Sequence, residues 1–191
     1  VISSDKNLRA YVIGLAIGDG NLSNQNGRAT RLRVSCDTKY PKLIKRISDS
    51  LGSLLPQNKV GLVKRKGNCA DVYVYSNHLE NLLGWKAKGG SKFKQNVSTP
   101  KWIYESDKYK IQYVKGLIET DGSIYNDRGY TMVIFTTIIP RLAESVQEII
   151  TSLGFKSHLY KLNPNPKSKF KSQIFYHVRL SKDVQSFLEL V

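Results

Sequence analysis

Two aspartates stand in similar surroundings and could together bind a divalent metal ion. Asp19 lies in the segment IGDG and Asp121 in the segment ETDG. Each follows an apolar segment with helical spacing, where the negative end of a helix dipole disfavours a carboxylate. Carboxylate oxygens and free helix-end carbonyls are hard ligands of the kind that Mg²⁺ prefers. The two positions therefore indicate a metal site built from a pair of carboxylates.

The segments that carry the aspartates are copies of one another, which indicates a duplicated unit. The separation between Asp19 and Asp121 equals that between Gly14 and Gly116. The small residues spaced four apart are Gly14 and Gly18 in the first copy and Gly116 and Thr120 in the second. Small residues at this spacing let two helix backbones approach closely, so we expect the two motif helices to pack together. We also expect Gly20 and Gly122 to end these helices in the left-handed conformation.

The rest of the sequence predicts the order helix, strand, strand, helix, strand, strand, helix, twice. In each copy a strand and a proline precede an amphipathic helix, expected to end at Gly52 and at Gly154. Further strands are predicted at 58–65, 71–76, 156–162 and 173–180, each pair before a short closing helix. We therefore predict an α+β fold of two pseudo-symmetric αββαββα repeats, residues 1–90 and 107–191. Residues 91–106 are expected to link them.

The charge of the chain favours a polyanionic partner. Lys and Arg number 30 against 15 Asp and Glu, a formal net charge of +15. Such an excess suits nucleic acid or an anionic membrane surface. No apolar run approaches the roughly 20 residues of a membrane span, and the basic residues lie on predicted strands and loops rather than along one helix. We therefore expect double-stranded DNA as the partner and no membrane.

The predicted strands place basic and aromatic side chains on one face. Arg31 and Arg33 alternate with apolar residues, and Lys64 and Lys66 likewise share a face. An antiparallel sheet often buries one face and exposes the other, so a merely solvated face is the alternative interpretation. The global charge favours nucleic-acid contact. The predicted DNA-binding residues are Arg28, Arg31, Arg33, Lys64, Lys66, Tyr73, Tyr75, Gln173, His177 and Arg179.

Cysteine and histidine usage disfavours a zinc site. Cys36 and Cys69 lie far apart without a CxxC pattern, and the three histidines are dispersed. A reducing intracellular compartment is the simplest expectation. The sequence opens at Val1 rather than Met, which fits either a trimmed chain or part of a longer product.

The motifs resemble those of a known family. VIGLAIGDG (12–20) and VKGLIETDG (114–122) are similar to the paired motifs of the LAGLIDADG homing endonucleases. The segment from WKAKGGSKFKQ through a proline and an aromatic residue into the second motif is similar too, so the resemblance covers nearly the whole chain. It implies a monomeric saddle of two four-stranded sheets over DNA, with the motif helices at the interface. The implied activity is a double-strand break at an intron or intein insertion site, in a microbial cytoplasm or an organelle.

The resemblance also implies the roles of the site residues. Asp19 and Asp121 would bind metal above the two scissile phosphates, helped by the backbone carbonyls of Gly18 and Thr120. Mg²⁺ is the expected cofactor, with Mn²⁺ as a substitute and Ca²⁺ supporting binding without cleavage. The metal would activate water and stabilise the departing oxygen.

Three lysines are candidates for stabilising charge at the scissile phosphates. Lys92 matches a Gly-x-Lys position of the family, Lys94 matches a Lys-x-Lys-Gln string of some relatives, and Lys39 matches a lysine of others. For each, an ordinary phosphate contact is the alternative. The counterpart of Lys39 is Ile138 or Arg141, depending on the alignment of the repeats. The position matching Lys92 in the second repeat falls beyond the end of the chain, so the two strands are expected to be cut unequally.

Two other functions fit the same residues. A group I intron maturase would use the fold to bind intron RNA as a splicing cofactor, and some relatives keep the aspartates and do both. A catalytically silent DNA-binding module is the third alternative, against which the presence of both Asp19 and Asp121 argues. Glu119 fills an acidic position of the second motif and is expected to be structural.

Overall fold

The computed structural model describes residues 2–24, 27–164 and 173–191, and it shows two halves with the same element order. The first half contains α1 (Lys6–Ile17), β1 (Gly20–Ser23), β2 (Arg31–Asp37), α2 (Pro41–Leu54), β3 (Val60–Lys64), β4 (Cys69–Tyr75) and α3 (Leu79–Leu83). The second half contains α4 (Asp107–Asp121), β5 (Gly122–Asp127), β6 (Tyr130–Thr137), α5 (Pro140–Ser152), β7 (Ser157–Leu162), β8 (Phe175–Leu180) and α6 (Val184–Leu190). The predicted order is confirmed, with strand boundaries moved by a residue or two.

Each half forms one antiparallel four-stranded sheet. The strand orders are β1-β2-β4-β3 and β5-β6-β8-β7, so the two sheets have the same topology. Along β2, Leu32, Val34 and Cys36 are buried while their neighbours are partly exposed. One face of the sheet therefore covers the core and the other faces solvent, as predicted. The α+β fold of two repeats is confirmed, and among the residues described above no helix is long and apolar enough to cross a membrane.

The two motif helices, α1 and α4, form the interface between the halves. Every residue of α1 from Ala10 to Ile17 is buried. A Cβ atom added at Gly14 would lie 3.1 Å from the Cα of Gly116, and one added at Gly116 would lie 2.7 Å from the backbone nitrogen of Leu15. Neither position has room for a side chain, because a Cβ at Gly14 would also overlap the backbone oxygen of Tyr113. The predicted close approach of the helix backbones is confirmed, and it depends on these two glycines.

Gly20 and Gly122 do not have the left-handed conformation that the sequence predicted. Neither has a positive φ; Gly122 is extended, at φ −82° and ψ 145°. Each begins the strand that folds back along the last turn of its own motif helix. A Cβ at Gly20 would lie 2.5 Å from the Cα of Ala16, and one at Gly122 would lie 2.7 Å from the Cα of Ile118. The glycines are thus required by this close approach and not by a left-handed backbone.

The ends of the two amphipathic helices differ from each other. Gly154 follows α5 with φ +88°, the left-handed conformation of a helix C-terminal glycine. Gly52, predicted to end α2, instead lies inside that helix, which continues to Leu54. The reason is packing, because Leu54 and Leu55 are both fully buried and extend the apolar stripe of Ile47 and Leu51.

The linker packs against the second half rather than hanging free between the repeats. Val97 and Ile103 are buried, the latter in a 3₁₀ helix at Lys101–Glu105. The Thr99 hydroxyl donates a hydrogen bond to the Tyr113 hydroxyl at 3.0 Å and lies 2.7 Å from the Ser145 hydroxyl. These contacts fix the segment that carries Lys92 relative to α4.

Candidate active site

The two aspartates lie at adjoining ends of the motif helices. Gly18 is the residue after α1, and its N–H donates to the Gly14 carbonyl at 3.1 Å. Asp19 follows it, and Asp121 is the last residue of α4. A Cβ at Gly18 would lie 2.7 Å from the Cβ of Thr120 and 3.5 Å from the Cγ of Asp121. The duplication therefore brings both carboxylates to the same end of the helix pair.

The surroundings of the two carboxylates favour bound cations. Burial raises the pKa of the Asp121 carboxyl, the negative charge of Asp19 raises it further, and Lys92 offsets this in part, which leaves the pKa at about 6. Asp19 is solvent-exposed, yet the protein around its carboxylate still raises the pKa through desolvation, against the opposing effect of Lys92. A divalent cation would stabilise the charged form of both carboxylates.

The Lys92 ammonium group binds the end of α1 and interacts electrostatically with both carboxylates. Its Nζ donates to the Ala16 carbonyl at 3.3 Å and to the carbonyls of Ile17 and Gly18. Burial lowers the pKa of Lys92, and the charges of Asp121 and Asp19 act in the opposite direction. A cation at the end of a helix satisfies carbonyls that have no intrahelical partner. Lys92 is thus the lysine that acts electrostatically on both aspartates.

The donor atoms present fit a hard divalent cation. Within residues 2–24, 27–164 and 173–191, no cluster of three or more His, Cys, Asp or Glu side chains could hold a metal ion. The chain therefore offers two carboxylates, from Asp19 and Asp121, and helix-end carbonyls as additional oxygen donors. Mg²⁺ is commonly bound by one or two carboxylates, with water and substrate phosphate completing its coordination. The carbonyl of Gly18, a predicted ligand, accepts a hydrogen bond from Lys92, so a metal at this oxygen would compete with that ammonium group.

The other two lysine candidates lie away from the carboxylates. Lys94 is exposed, and its backbone N–H donates to the Ser91 hydroxyl at 3.2 Å. The ammonium group of Lys39 lies 3.3 Å from a carboxylate oxygen of Asp37 and 5.0 Å from the centre of the Tyr40 ring. Of the three, Lys92 alone has a hydrogen bond to a residue of the first motif.

Two clefts flank the ends of the motif helices and correspond to each other by the pseudo-two-fold symmetry. One, of about 440 Å³, is lined by Lys92, Asp121 and the residues after β6, including Ile138. The other, of about 680 Å³, is lined by Lys39 and by Thr120 of the second motif. Because Pro41 and Pro140 both begin helices, the structural counterpart of Lys39 is Ile138. The smaller cleft is lined by Lys92 and the larger one by Lys39 and Lys42, so the lysines of the two clefts come from unrelated positions.

Glu119 connects three helices. It accepts hydrogen bonds from the Tyr11 hydroxyl on α1 and from the Arg46 guanidinium on α2. This arrangement fixes the second motif helix against the first half, which fits the structural role expected from the sequence.

The outward face of the first sheet carries the predicted arginines and tyrosines. Arg31 pairs with Tyr75 and Arg33 with Tyr73, so all four side chains share one face. Lys64 pairs with Ala70, which places it on the opposite face of the sheet, although it is exposed. The separation has a simple cause, because side chains of successive strand residues point to opposite faces. Arg28 and Lys66 are exposed in the connections before β2 and before β4.

Arg65 and Asp71 lie on this same face and were not predicted from the sequence. Asp71 is only 2% exposed, accepts a hydrogen bond from the Ser35 hydroxyl at 2.8 Å and is ion-paired with Arg65. The alternation of Asp71 with Tyr73 and Tyr75 along β4 indicates their shared face. Arg65 lies in the sequence between Lys64 and Lys66, which were predicted to share a face.

The outward face of the second sheet carries fewer charges. His177 pairs with Thr136 and Arg179 with Ile134, and the predicted sharing of one face by these two β8 residues is present. A guanidinium nitrogen of Arg179 lies 3.9 Å from the Met132 sulfur. Gln173 precedes β8, with its amide near the backbone carbonyl of Ile174. The two sheets therefore offer chemically different surfaces.

The free energy of unfolding of the metal-free protein should increase as the pH falls, because the Asp121 carboxylate becomes protonated. Its pKa of about 6 in the folded protein lies above the ordinary value of about 3.9 for an unfolded chain, so the folded state binds the proton more tightly. The unfavourable contribution of the charged Asp121 carboxylate to the stability of the folded state is complete above pH ~6 and disappears below pH ~4. Asp121→Asn should raise the Tm in EDTA at pH 7.5 by roughly 2–8 °C and flatten the dependence on pH.

The matched control is Asp127→Asn, at an exposed aspartate of β5. It should leave both the Tm and its pH dependence close to those of the parent protein. Equal melting temperatures for Asp121→Asn and the parent at pH 7.5 would contradict the prediction.

The amino-acid sequence is similar to a family of domains and to a DNA polymerase. The profile of the LAGLIDADG-like domain family matches residues 108–191, essentially the second repeat. A DNA polymerase from Thermococcus hydrothermalis is 26% identical over 188 residues, a match that covers 94% of this chain and 11% of the polymerase. The chain thus spans about a tenth of the length of that relative.

Comparisons of structure extend the likeness to the whole chain. A variant of the homing endonuclease I-DmoI has a TM-score of 0.67 at 19% identity, covering 97% of this chain and 95% of that one. I-DmoI in complex with DNA and Mn has a TM-score of 0.65 at 20% identity, covering 97% and 94%. The N-terminal LAGLIDADG domain of DUF199/WhiA has a TM-score of 0.63 at 12% identity, covering 100% and 84%. The second repeat thus matches the LAGLIDADG-like domain family, and the chain as a whole is a two-repeat protein with the LAGLIDADG fold.

Proposed function

We propose that this protein is a site-specific homing endonuclease that makes a metal-dependent double-strand break in DNA. The observation that supports the proposal is the pair of carboxylates, Asp19 and Asp121, at adjoining helix ends, with the Lys92 ammonium group bound to the end of α1 and acting electrostatically on both. The fold by itself is shared by I-DmoI and by DUF199/WhiA. The acidic pair and the net charge of +15 are what favour a nuclease.

The residues at the site divide into metal ligands and phosphate-stabilising groups. Asp19 and Asp121 would hold the cation, with the carbonyls of Gly18 and Thr120 as further donors. When bound, a divalent cation supplies Lewis-acid stabilisation of the scissile phosphate and lowers the pKa of the attacking water. Lys92 adds a fixed positive charge for the negative charge that develops on the phosphate oxygens. Lys39 is the group placed to do the same in the opposite cleft.

Lys92→Met should slow cleavage by roughly 10²- to 10³-fold, the usual effect of removing one stabilising donor. Because the two clefts differ in their lysines, the loss should be larger for one DNA strand, and nicked circles should accumulate. Single-turnover cleavage of supercoiled plasmid, with each strand labelled, measures both effects.

Lys94→Met is the matched control, since Lys94 is exposed two residues along the same segment. It should cleave at close to the parent rate. An equal loss for both variants would show that the segment contributes general positive charge and that Lys92 has no special role.

The proposed function is tested by plasmid cleavage. The segment that is similar to this chain makes up 11% of a DNA polymerase. We therefore propose that the chain originates from an insertion inside a larger host protein. The first target is therefore the polymerase coding sequence with that segment removed. Supercoiled plasmid bearing it should be linearised in Mg²⁺ or Mn²⁺, bound without cleavage in Ca²⁺, and left intact in EDTA. A plasmid with the segment restored is the control, because the insertion interrupts the target.

Several further features belong to this proposal. Both halves of the DNA-binding saddle lie in one chain, so we propose action as a monomer. We propose an intracellular site of action, in a microbial cytoplasm or an organelle, because the substrate is DNA. Intron RNA is the alternative partner, and a splicing assay with cognate intron RNA separates the two. Faster splicing without DNA cleavage would favour the maturase.

A further inference from the structure

The outward face of the first sheet contains a buried carboxylate, which is an unusual position for an acid on a surface intended for DNA. Asp71 lies on the same face as Tyr73 and is only 2% exposed. Its Oδ1 accepts a hydrogen bond from Ser35, and its Oδ2 accepts one from Arg65. Burial alone raises the pKa of Asp71, but the hydrogen bonds and the charges of Arg65 and Arg33 outweigh it, so the pKa lies below the ordinary value.

Two arginines approach this carboxylate from different strands. Arg33 comes from β2, with a guanidinium nitrogen 3.9 Å from the Oδ2 of Asp71, and Arg65 follows β3. The backbone N–H of Arg65 donates to the Cys69 carbonyl at 2.9 Å, so the antiparallel pairing continues and keeps Arg65 on the outward face. Their side chains are 29% and 48% exposed. The buried carboxylate therefore binds both guanidinium groups on their protein side, and their other side is open to solvent.

Within residues 2–24, 27–164 and 173–191, the protein does not saturate either guanidinium. Among these residues Arg65 has one side-chain ion pair, through Nε. The Nε of Arg33 is buried and lacks a hydrogen-bond partner within the residues that the structure describes. A guanidinium has five N–H donors in a planar fork. Most of the donors of Arg33 and Arg65 therefore have no acceptor among the described residues and are available to a ligand. A buried Nε without a partner has a free-energy penalty, which a small rotation of the Arg33 guanidinium on ligand binding could relieve.

The second sheet replaces this cluster with apolar and neutral side chains. Gly20 pairs with Val34 as Gly122 pairs with Phe135, which aligns the two sheets. In this alignment Arg33, Asp71 and Arg65 correspond to Ile134, His177 and Leu162, which are the corresponding residues of β6, β8 and β7. Among the described residues, the two-arginine cluster is therefore present in the first half and not in the second.

We propose that Arg33 and Arg65, oriented by Asp71, read guanine bases in the major groove of one half of the DNA target. Arginine contacts the O6 and N7 of guanine through two parallel hydrogen bonds, and the major groove admits β-strands. A planar fork gains specificity when its direction is fixed, which is what the buried carboxylate supplies. The inference rests on the proposed function, because it assigns base contacts to the same DNA-binding surface. Asp71 is a positioning residue and need not touch the DNA.

Phosphate contact is the competing role for these arginines, and the geometry favours base contact. Exposed lysines such as Lys64 and Lys66 suit phosphates, since a phosphate contact needs only charge. Arg33 lies on an inner strand of the sheet. Arg65 follows the edge strand β3, but the carboxylate that it shares with Arg33 fixes its direction. A buried acid would weaken a purely electrostatic contact by neutralising one of the two charges. A buried acid is useful where the direction of a guanidinium group matters more than the net positive charge.

Selection of binding sites from a randomised duplex library in Ca²⁺ tests the proposal with the full-length protein. The parent should select guanine at two or more positions of one half-site. Arg33→Lys and Arg65→Lys keep the charge but lose the fork, and each should reduce the preference at its own position by about 5- to 150-fold. Asp71→Asn should weaken both preferences together. Arg31→Lys is the control, because Arg31 contacts Ser23 and not Asp71, so any effect should fall at other positions.

The outcomes separate this inference from the proposed function. If the parent selects a defined site and both lysine variants keep its guanine preferences, Arg33 and Arg65 are phosphate contacts and the inference is wrong while the endonuclease proposal stands. If the parent selects no sequence at all, both fail. Asp71→Asn is compared only if its Tm shows that it folds, and the two lysine variants, which are at partly exposed positions, decide the matter without it.

Discussion

Asp19→Asn and Asp121→Asn should each abolish DNA cleavage, with a fall in rate of at least about 10³-fold. Metal ions contribute several kcal/mol of charge stabilisation in such reactions, and each ~1.4 kcal/mol is tenfold in rate. Asparagine keeps the shape of the side chain but removes the charge that, in the proposed function, would hold the cation. Each position lies at the end of a different motif helix. The measurement is linearisation of plasmid under single-turnover conditions in Mg²⁺.

Binding should survive these substitutions, because the DNA-facing sheets are unchanged. Target duplex should be bound by both variants within a few-fold of the parent. Asp107→Asn is the matched control, at an exposed position in the first turn of the same helix, α4. It should cleave normally. If both active-site variants still linearise plasmid, the assignment of the metal ligands is wrong.

Gly116→Val should destabilise the protein by about 3 kcal/mol or more, near the upper range for overpacking. A Cβ at this position would contact the backbone of α1, including the Leu15 nitrogen at 2.7 Å. Backbone atoms in a packed helix cannot move aside as the end of a flexible side chain can. The helix pair would have to separate, and with it the two aspartates. We expect a fall in Tm of roughly 6–12 °C and a loss of cleavage.

Gly52→Ala is the control for this prediction. Gly52 lies inside α2, and a Cβ there would meet only the Val60 side chain, at an ordinary 3.8 Å. Alanine in a helix is favoured over glycine by roughly 0.5–1 kcal/mol, so this variant should be slightly more stable than the parent. A Gly116→Val protein with an unchanged Tm would mean that the helices are not in close contact.

The duplication explains why so much of the fold could be predicted from the sequence. One copy of the motif would have predicted a helix with a polar end. Two copies with matching strands and helices predicted that the helices meet, and Gly14 and Gly116 lie in contact as expected. Local patterns of this kind are repeated in each half, so a wrong assignment in one copy is checked by the other.

The features that were missed depend on contacts between residues distant in sequence. The requirement for glycine at position 20 arises where the chain turns back on Ala16, and the direction of that turn is set by the sheet. The pairing of Asp71 with Arg65 depends on strand register, which alternation within one strand does not specify. Which of Lys92 and Lys94 binds the end of α1 depends on how the linker packs, and no local sequence pattern specifies that packing.

The way the linker is held has a consequence for how such a protein can be divided or recombined. The segment carrying Lys92 packs on the second repeat through Thr99, yet its ammonium group binds the end of the first motif helix. Residues 1–90 exchanged as a module would therefore leave behind the lysine whose ammonium group binds the end of their motif helix. A hybrid made at this boundary from two relatives would have a working site only if the incoming linker matched the new first repeat. The two repeats are similar in shape but must be inherited together.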